Sequence, residues 1–273
     1  MRESFAEHYR GLFAVAYRDL ISFSRGRVAV FSSLILPLGF LVFIGIGLDD
    51  VVDPSAVGAS YLKFVYPGMI AMALSQTALF GGAQIFWDRQ YGYLKMMLAA
   101  PVSRLGIIGG KITAVTVISL FQVAAMLVVA PFIGVSVTGW VIPALFLYLV
   151  LFSVAVGSLG VLIGVRIRSP QSAQMVGVVT FPLTFMSGMF FPVNSVPTWL
   201  EVLAKINPLT YPVAGIREVL LSRTDPDVST AVLEPFAVHV FGYRMGAWEN
   251  ALVAAGFGVV LLAAATWSFS RQE

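Results

Sequence analysis

Cysteine is absent from the 273 residues, and histidine occurs twice, at His8 and His239. The first absence excludes a disulfide framework, a thiolate metal site and a cysteine nucleophile. The second leaves no material for a His-rich metal centre, so no metal-ligating residues are expected. Charge is scarce too, with 11% of residues charged against about 25% in an ordinary soluble domain. There is no tandem repeat and no low-complexity tail. Residues 1–27 carry charges throughout, so they do not read as a signal peptide. The net charge of +3 reflects loop placement in a membrane protein rather than nucleic-acid binding.

What is present is hydrophobic residue, 58% of the chain, gathered in long blocks. A bilayer core of about 30 Å needs about 20 helical residues, and six uncharged segments reach that length: 28–48, 64–87, 112–134, 140–165, 174–193 and 250–270. The first contains fourteen Leu, Ile, Phe or Val residues, each favouring insertion by roughly 0.3–0.6 kcal/mol near the helix centre. Gly134 and Gly139 bracket a turn that splits the long run 112–165 into two antiparallel helices. After span 5, Pro182, Gly188, Pro192 and Pro197 interrupt the apolar run, which predicts a segment dipping back into the membrane. The expectation is an all-α membrane protein with six transmembrane helices, an N-terminal amphipathic elbow helix and a re-entrant outer segment after span 5.

Twelve of the seventeen lysines and arginines fall in segments that are inside if the N-terminus is inside. The positive-inside rule then puts both termini in the cytoplasm. Phe5, Tyr9, Leu12, Phe13, Ala16, Tyr17, Leu20 and Phe23 recur at helical spacing, with Glu7, Arg10, Arg18, Asp19 and Arg25 on the other side. Such a helix is expected to lie flat in the inner headgroup region, as a topology anchor or an elbow that also touches a partner. The expected organisation is an elbow helix at 1–27 and a single transmembrane domain at 28–273. A cytoplasmic loop occupies 88–111 and an outer loop 194–247.

No ionisable residue lies inside the six segments, which disfavours a proton-coupled carrier. Gly106-Ile107-Ile108-Gly109-Gly110-Lys111-Ile112 fails the phosphate-loop pattern in both its glycine spacing and its missing hydroxyl. No nucleophile–base–acid set appears, so the chain is not expected to be an enzyme. It has a membrane body and no engine. An exporter borrowing ATP hydrolysis, an ion-gradient-driven carrier or channel, and a membrane-embedded lipid-modifying enzyme using Glu249, Asp88 or His239 all remain open on these grounds. In the loop after span 2, Leu94, Met97 and Leu98 share one face of a short helix that Pro101 ends, with Arg89 and Lys95 at its rim. That pattern suits a protein–protein contact or an interfacial helix on lipid.

The loop resembles that of the type-2 ABC-transporter permease family, D-R-E-x-G-x-L-x-x-L-L-x-x-P-x-S-R leading to G-K. Here it reads Asp88-Arg89, Gly92, Leu94, Leu98, Pro101, Ser103-Arg104 and Gly110-Lys111. Gln90 replaces the usual glutamate and Met97 one leucine. A second match follows span 5: Ser187-Gly188-Met189-Phe190-Phe191-Pro192, then Asn207-Pro208-Leu209-Thr210-Tyr211 and Arg217, with Ala214 where an acidic residue is common. The resemblance implies a homodimer or heterodimer of such permeases above two copies of a cytoplasmic ABC ATPase, which would hold ATP and Mg; this chain would hold no cofactor. Coupling would fall to Asp88, Arg89, Gln90, Tyr91, Gly92, Leu94, Lys95, Leu98 and Pro101, with the elbow residues Phe5, Tyr9, Leu12 and Phe13 beside them. A route between spans 2 and 5 would be lined by Gln76, Thr77, Phe80, Thr184, Phe185 and Met189. Asn207, Pro208, Tyr211 and Arg217 would build the outer segment. The substrates implied are drugs, lipids or polysaccharides leaving the cytoplasm across the plasma membrane.

Overall fold

A computed structural model describes residues 2–47, 61–100, 102–135, 137, 139–190, 193, 196–221, 237–240 and 243–271; at 2–10, 27, 29, 64 and 240 the backbone alone is described. Its helices are α1 Arg2–Arg25, α2 Arg27–Phe40, α3 Tyr61–Ala83, α4 Ile85–Gln90, α5 Tyr93–Ala99 and α6 Arg104–Leu127. They continue with α7 Ala130–Ile133, α8 Val141–Arg166, α9 Pro170–Ala173, α10 Met175–Phe185, α11 Thr198–Ile206, α12 Thr210–Leu221 and α13 Ala247–Ser270. Strands β1 His239–Val240 and β2 Tyr243–Arg244 pair antiparallel just before α13.

Four helical stretches are long and apolar enough to cross a membrane: Tyr61–Gln90, Arg104–Leu127, Val141–Arg166 and Ala247–Ser270. A fifth candidate is the bent pair Gly11–Arg25 and Val30–Ile46, which turns by 71° near Gly26. The expected fifth span, 174–193, is instead an 11-residue helix, α10, containing Pro182 and followed by a turn at Gly188. At 1.5 Å per residue it covers about 16 Å, roughly half a bilayer core. Apolar composition continued past the point where proline and a left-handed glycine stopped the helix.

The bundle is organised around α3 against α8. A side chain at Gly82 would strike the Gly157 carbonyl, and one at Gly160 would strike the Leu79 carbonyl. Two backbones in contact exclude any side chain between them, the small-residue packing that membrane helices use where hydrophobic drive is weak. Tyr66, Met69, Ile70, Leu74, Phe86, Phe152 and Met126 fill the main core around this seam.

Pro37 in α2 cannot donate to the carbonyl of Ser33, four residues earlier. Gln122 of α6 supplies the missing donor, its Nε2 lying 2.6 Å from that carbonyl oxygen. Its Oε1 in turn accepts from the Thr77 hydroxyl of α3. A buried amide thus ties three helices together and offsets the proline; beyond Phe40 the same helix widens into a π-type turn, Leu41–Ile46.

α1 does not stand apart from the bundle. It runs along the start of α6, where Gly110 lets it approach: a Cβ there would lie 2.6 Å from the Leu12 carbonyl oxygen and 2.8 Å from Val15 Cβ. Val15 and Ala16 are buried, while Phe13 and Tyr17 point outward. The start of α1, the loop 88–111 and the end of α13 define the basal end of the bundle. The apical end carries α11, α12 and the strand pair.

Candidate functional site

At the basal end four ionisable residues meet. Lys111 Nζ lies 2.5 Å from Asp88 Oδ2 and 3.1 Å from Asp19 Oδ2. Arg18 Nη2 lies 2.5 Å from Asp19 Oδ1 and 3.1 Å from Asp88 Oδ1. Lys111 is only 1% exposed. An enclosed ammonium group needs opposite charge beside it, and here two carboxylates face it. The helical spacing of α1 assigns Arg18 and Asp19 to a wet face; the structure turns both inward, because Asp88 and Lys111 supply a better setting than headgroup water. Burial works against the Arg18 charge, but Asp19 and Asp88 outweigh it and hold its pKa above the ordinary arginine value. Its guanidinium also lies 5.8 Å from the centre of the Tyr93 ring, within cation–π range.

None of the four lies within the six uncharged segments, yet two of them are enclosed. Lys111 falls just before the expected start of span 3, yet α6 begins at Arg104 and carries Lys111 into the protein interior. Asp88, the first residue of the expected loop 88–111, is itself buried.

Arg89, the next residue, reaches the last turn of α8. It donates to the Val165 carbonyl at 3.1 Å and to the Ile167 carbonyl, as basic side chains do at helix C-termini. Gly92 adopts φ 79°, a left-handed conformation, and caps the start of α5. Any side chain there meets open space but strains the backbone. Ser103 caps α6, its hydroxyl accepting from the Gly106 amide at 3.0 Å. Arg104 donates to the Ser270 carbonyl at 2.7 Å and ties the loop to the end of α13.

The apolar face of α5 looks inward. Leu94 is buried in a cluster with Val15, Ile85, Ile107, Ile108 and Ile112, and Met97 and Leu98 pack on it half-buried. What α4 and α5 present outward is Gln90, Tyr91, Tyr93, Lys95 and Met96, with Tyr91 69% and Met96 70% exposed. Tyr91 stacks on Trp87 at 5.8 Å between ring centres, which steadies part of this face. Pro101 lies outside the described residues, as do the side chains of Phe5 and Tyr9; Leu12 is half-buried against Gly109 and Phe13 is exposed.

A cavity of about 900 Å³ adjoins the ion cluster, lined by Arg18, Asp88, Phe23, Trp87, Thr77 and Phe80 among others. A second, of about 450 Å³, shares Ser33, Thr77 and Phe80 with it and adds Gln76 and Phe181 between α2, α3 and α10. Gln76, Thr77 and Phe80 thus border open space, whereas Thr184 and Met189 are buried inside the chain. Phe185 is half-buried in a run of rings, 4.2 Å from Phe181 and 4.9 Å from Phe190 between centres.

At the apical end the buried Arg217 donates to the Gly188 carbonyl at 3.0 Å and the Met189 carbonyl at 2.8 Å. Asn207 donates to the Leu183 carbonyl at 2.6 Å while its own oxygen accepts from the Leu209 amide. Tyr211 donates to the Lys205 carbonyl at 2.7 Å. Pro208, between Asn207 and Leu209, continues the corner from α11 to α12. Asn207 thus holds a carbonyl of the last turn of α10 and Arg217 two in the turn that follows it, while Tyr211 holds one at the end of α11.

A family model described as ABC-2 type transporter matches residues 10–221. The chain is 30% identical to the ycf38 transport permease of Porphyra purpurea over 226 residues, 81% of this chain and 77% of that protein. It is 32% identical to the inner membrane transport permease YadH of Escherichia coli K12, over 66% of this chain and 72% of that protein. It is 27% identical to YbhR of the same strain, named a "probable multidrug ABC transporter permease", over 65% of this chain and 49% of that protein.

Proposed function

The chain belongs to the ABC-2 type transporter family, and on that premise we propose that it is the membrane-spanning subunit of an exporter driven by a separate ATPase. It is a multi-pass membrane protein, and its relatives are transport permeases rather than enzymes. Permeases of this family work with an ATPase partner in general. In this reading the basal end faces the cytoplasm, α1 is the elbow helix, and the bilayer is the plasma membrane. The short helix α10 completes a sixth crossing together with its flanking turns, and the segment after it re-enters from outside.

One observation carries the reading: a compact outward face of Gln90, Tyr91, Tyr93, Lys95 and Met96 mounted on a loop whose base is fixed by buried ion pairs. An exposed tyrosine and methionine patch beside Lys95 suits a protein partner. Two ATPase subunits, holding ATP and Mg, would dock there beneath a homodimer or heterodimer of permeases. The route would run beside α3 and α10, past Gln76, Thr77, Phe80, Phe181 and Phe185. Its neutral, aromatic lining suits an amphipathic, lipid-like, drug or polysaccharide substrate, and the multidrug name of YbhR supports the drug class.

A second reading gains one observation. Asp88 and Lys111 are buried ionisable groups, with Asp19 partly buried beside them, and such groups mark ion pathways in gradient-driven carriers. They lie at the basal end and pair with one another and with Arg18, which suits a structural clamp better than an ion path. Proteoliposomes separate the two. With the ATPase present, efflux of a fluorescent lipid or dye requires Mg-ATP. Efflux by the chain alone under a pH gradient would establish the carrier instead.

A further inference from the structure

The structure assigns Lys111 a positioning role: with Asp19 and Asp88 it clamps the elbow helix, the foot of the loop and the start of α6 into one rigid lever. The inference deepens the permease reading and rests on it. Asp88 and Lys111 are the first and last residues of the loop 88–111, so their 2.5 Å contact closes the loop at its base. Asp19 joins α1 to the same ammonium group at 3.1 Å, and Arg18 closes the circuit to Asp88. Two positive and two negative charges cancel. Because Lys111 is enclosed, its ammonium has no water to turn to, and parting from either carboxylate would leave a buried charge uncompensated.

Two further observations make the clamp a body rather than a single bond. Gly110 places the backbone of α1 directly on α6. Val15, Ile85, Leu94, Ile107, Ile108 and Ile112 then form an apolar cluster, separate from the main core, that joins the same elements and seats them on Val161 and Val165 of α8 and Ala265 and Phe269 of α13. The lever also has somewhere to go. α1 meets α2 at a 71° bend, and the cavity of about 900 Å³ separates Arg18, Asp19 and Phe23 of α1 from Ser33, Thr77 and Phe80. A push on the outward face of α4 and α5 would tilt α1 about Gly26 into that space, with the loop and α1 moving together.

The cysteine-free chain permits a direct test with spin labels at Phe13→Cys on α1 and Ala99→Cys at the end of α5, both exposed. The distance between labels is read in the complex with its ATPase, without nucleotide and after trapping with Mg-ATP and vanadate. A shared lever keeps the mean within about 2 Å between states, whereas a change of about one helical turn, ~5 Å, with the four charges intact would overturn the proposal. Lys111→Met with Asp19→Asn removes the clamp while preserving neutrality, and is expected to broaden the distribution and make it differ between states. Gly11→Cys with Val102→Cys then re-ties α1 to the loop covalently. The built Cβ of Gly11 lies 3.2 Å from Val102 Cβ, near disulfide spacing. Oxidation should narrow the distribution again; a doubly substituted protein that behaves as the parent does would refute the clamp. If no vanadate-sensitive ATPase accompanies the chain, the permease reading fails, and the same label pair in lipid vesicles still decides the clamp by comparing parent and neutralised chains.

Discussion

The two ends of the bundle solve one problem in different ways. Each must hold a piece of chain that leaves the main helices and returns. The basal end combines two kinds of hold: Lys111 and Arg18 pair with Asp19 and Asp88, while Arg89 and Arg104 donate to the carbonyls of Val165, Ile167 and Ser270. The apical end uses side chains paired to backbone, Arg217 and Asn207 against the carbonyls of Leu183, Gly188 and Met189. A carbonyl grip fixes the backbone conformation it holds, whereas an ion cluster fixes which elements stay together. The apical end relies on the first; the basal end adds the second, and in the proposed lever the ion cluster is what keeps α1 and the loop together when the carbonyl grips of Arg89 and Arg104 shift.

The largest effect should come from breaking the seam that both ends share. Gly160→Leu drives a side chain into the Leu79 carbonyl; such overpacking should cost about 3 kcal/mol or more, and size-exclusion profiles should show loss of folded protein. Lys111→Met is next, at about 3 kcal/mol, because it leaves buried carboxylates short of a partner. Most of that loss should return in the double substitution with Asp19→Asn, read as a recovered melting temperature. Arg217→Met removes two charge-assisted bonds, worth about 2 kcal/mol after the relief of its own burial. It should loosen the segment around Gly188 by hydrogen exchange while leaving the Phe13–Ala99 distance untouched. A basal distance that responded would break the contrast between the ends. Gly92→Ala should cost about 1 kcal/mol through its left-handed backbone. Smallest is Met96→Asp, expected to change stability by less than about 0.5 kcal/mol while weakening the hold on the ATPase, seen in co-purification.

Much of the fold was legible in the apolar blocks. α8 nearly matches the segment 140–165 and α13 contains 250–270, since hydropathy over some 20 residues reports bilayer span directly, while α6 is displaced toward the loop, running from Arg104 to Leu127 against the expected 112–134. The segment 174–193 holds a shorter helix than its apolar composition suggests, because composition does not see the helix stop at Phe185 ahead of the left-handed Gly188. The helical period showed that Leu94, Met97 and Leu98 share a face, but not whether that face looks outward; only α1 and α6 packing against them decides it. Arg18 and Asp19 were assigned to water for the same reason. The signal that could have found their partner was the pair Gly109-Gly110 just before Lys111, which marks a place where another backbone comes close to a lysine. At the apical end, Asn207 and Tyr211 were named from a motif alone; the structure shows the carbonyls of Leu183 and Lys205 that they hold.

The account stands most directly on which face of α5 meets another protein. A photoreactive residue placed at Met96, and separately at Leu94, would be illuminated in native membranes. The account predicts an ATPase cross-linked through position 96 and only products within the chain through position 94. An ATPase captured from position 94 but not from position 96 would contradict it.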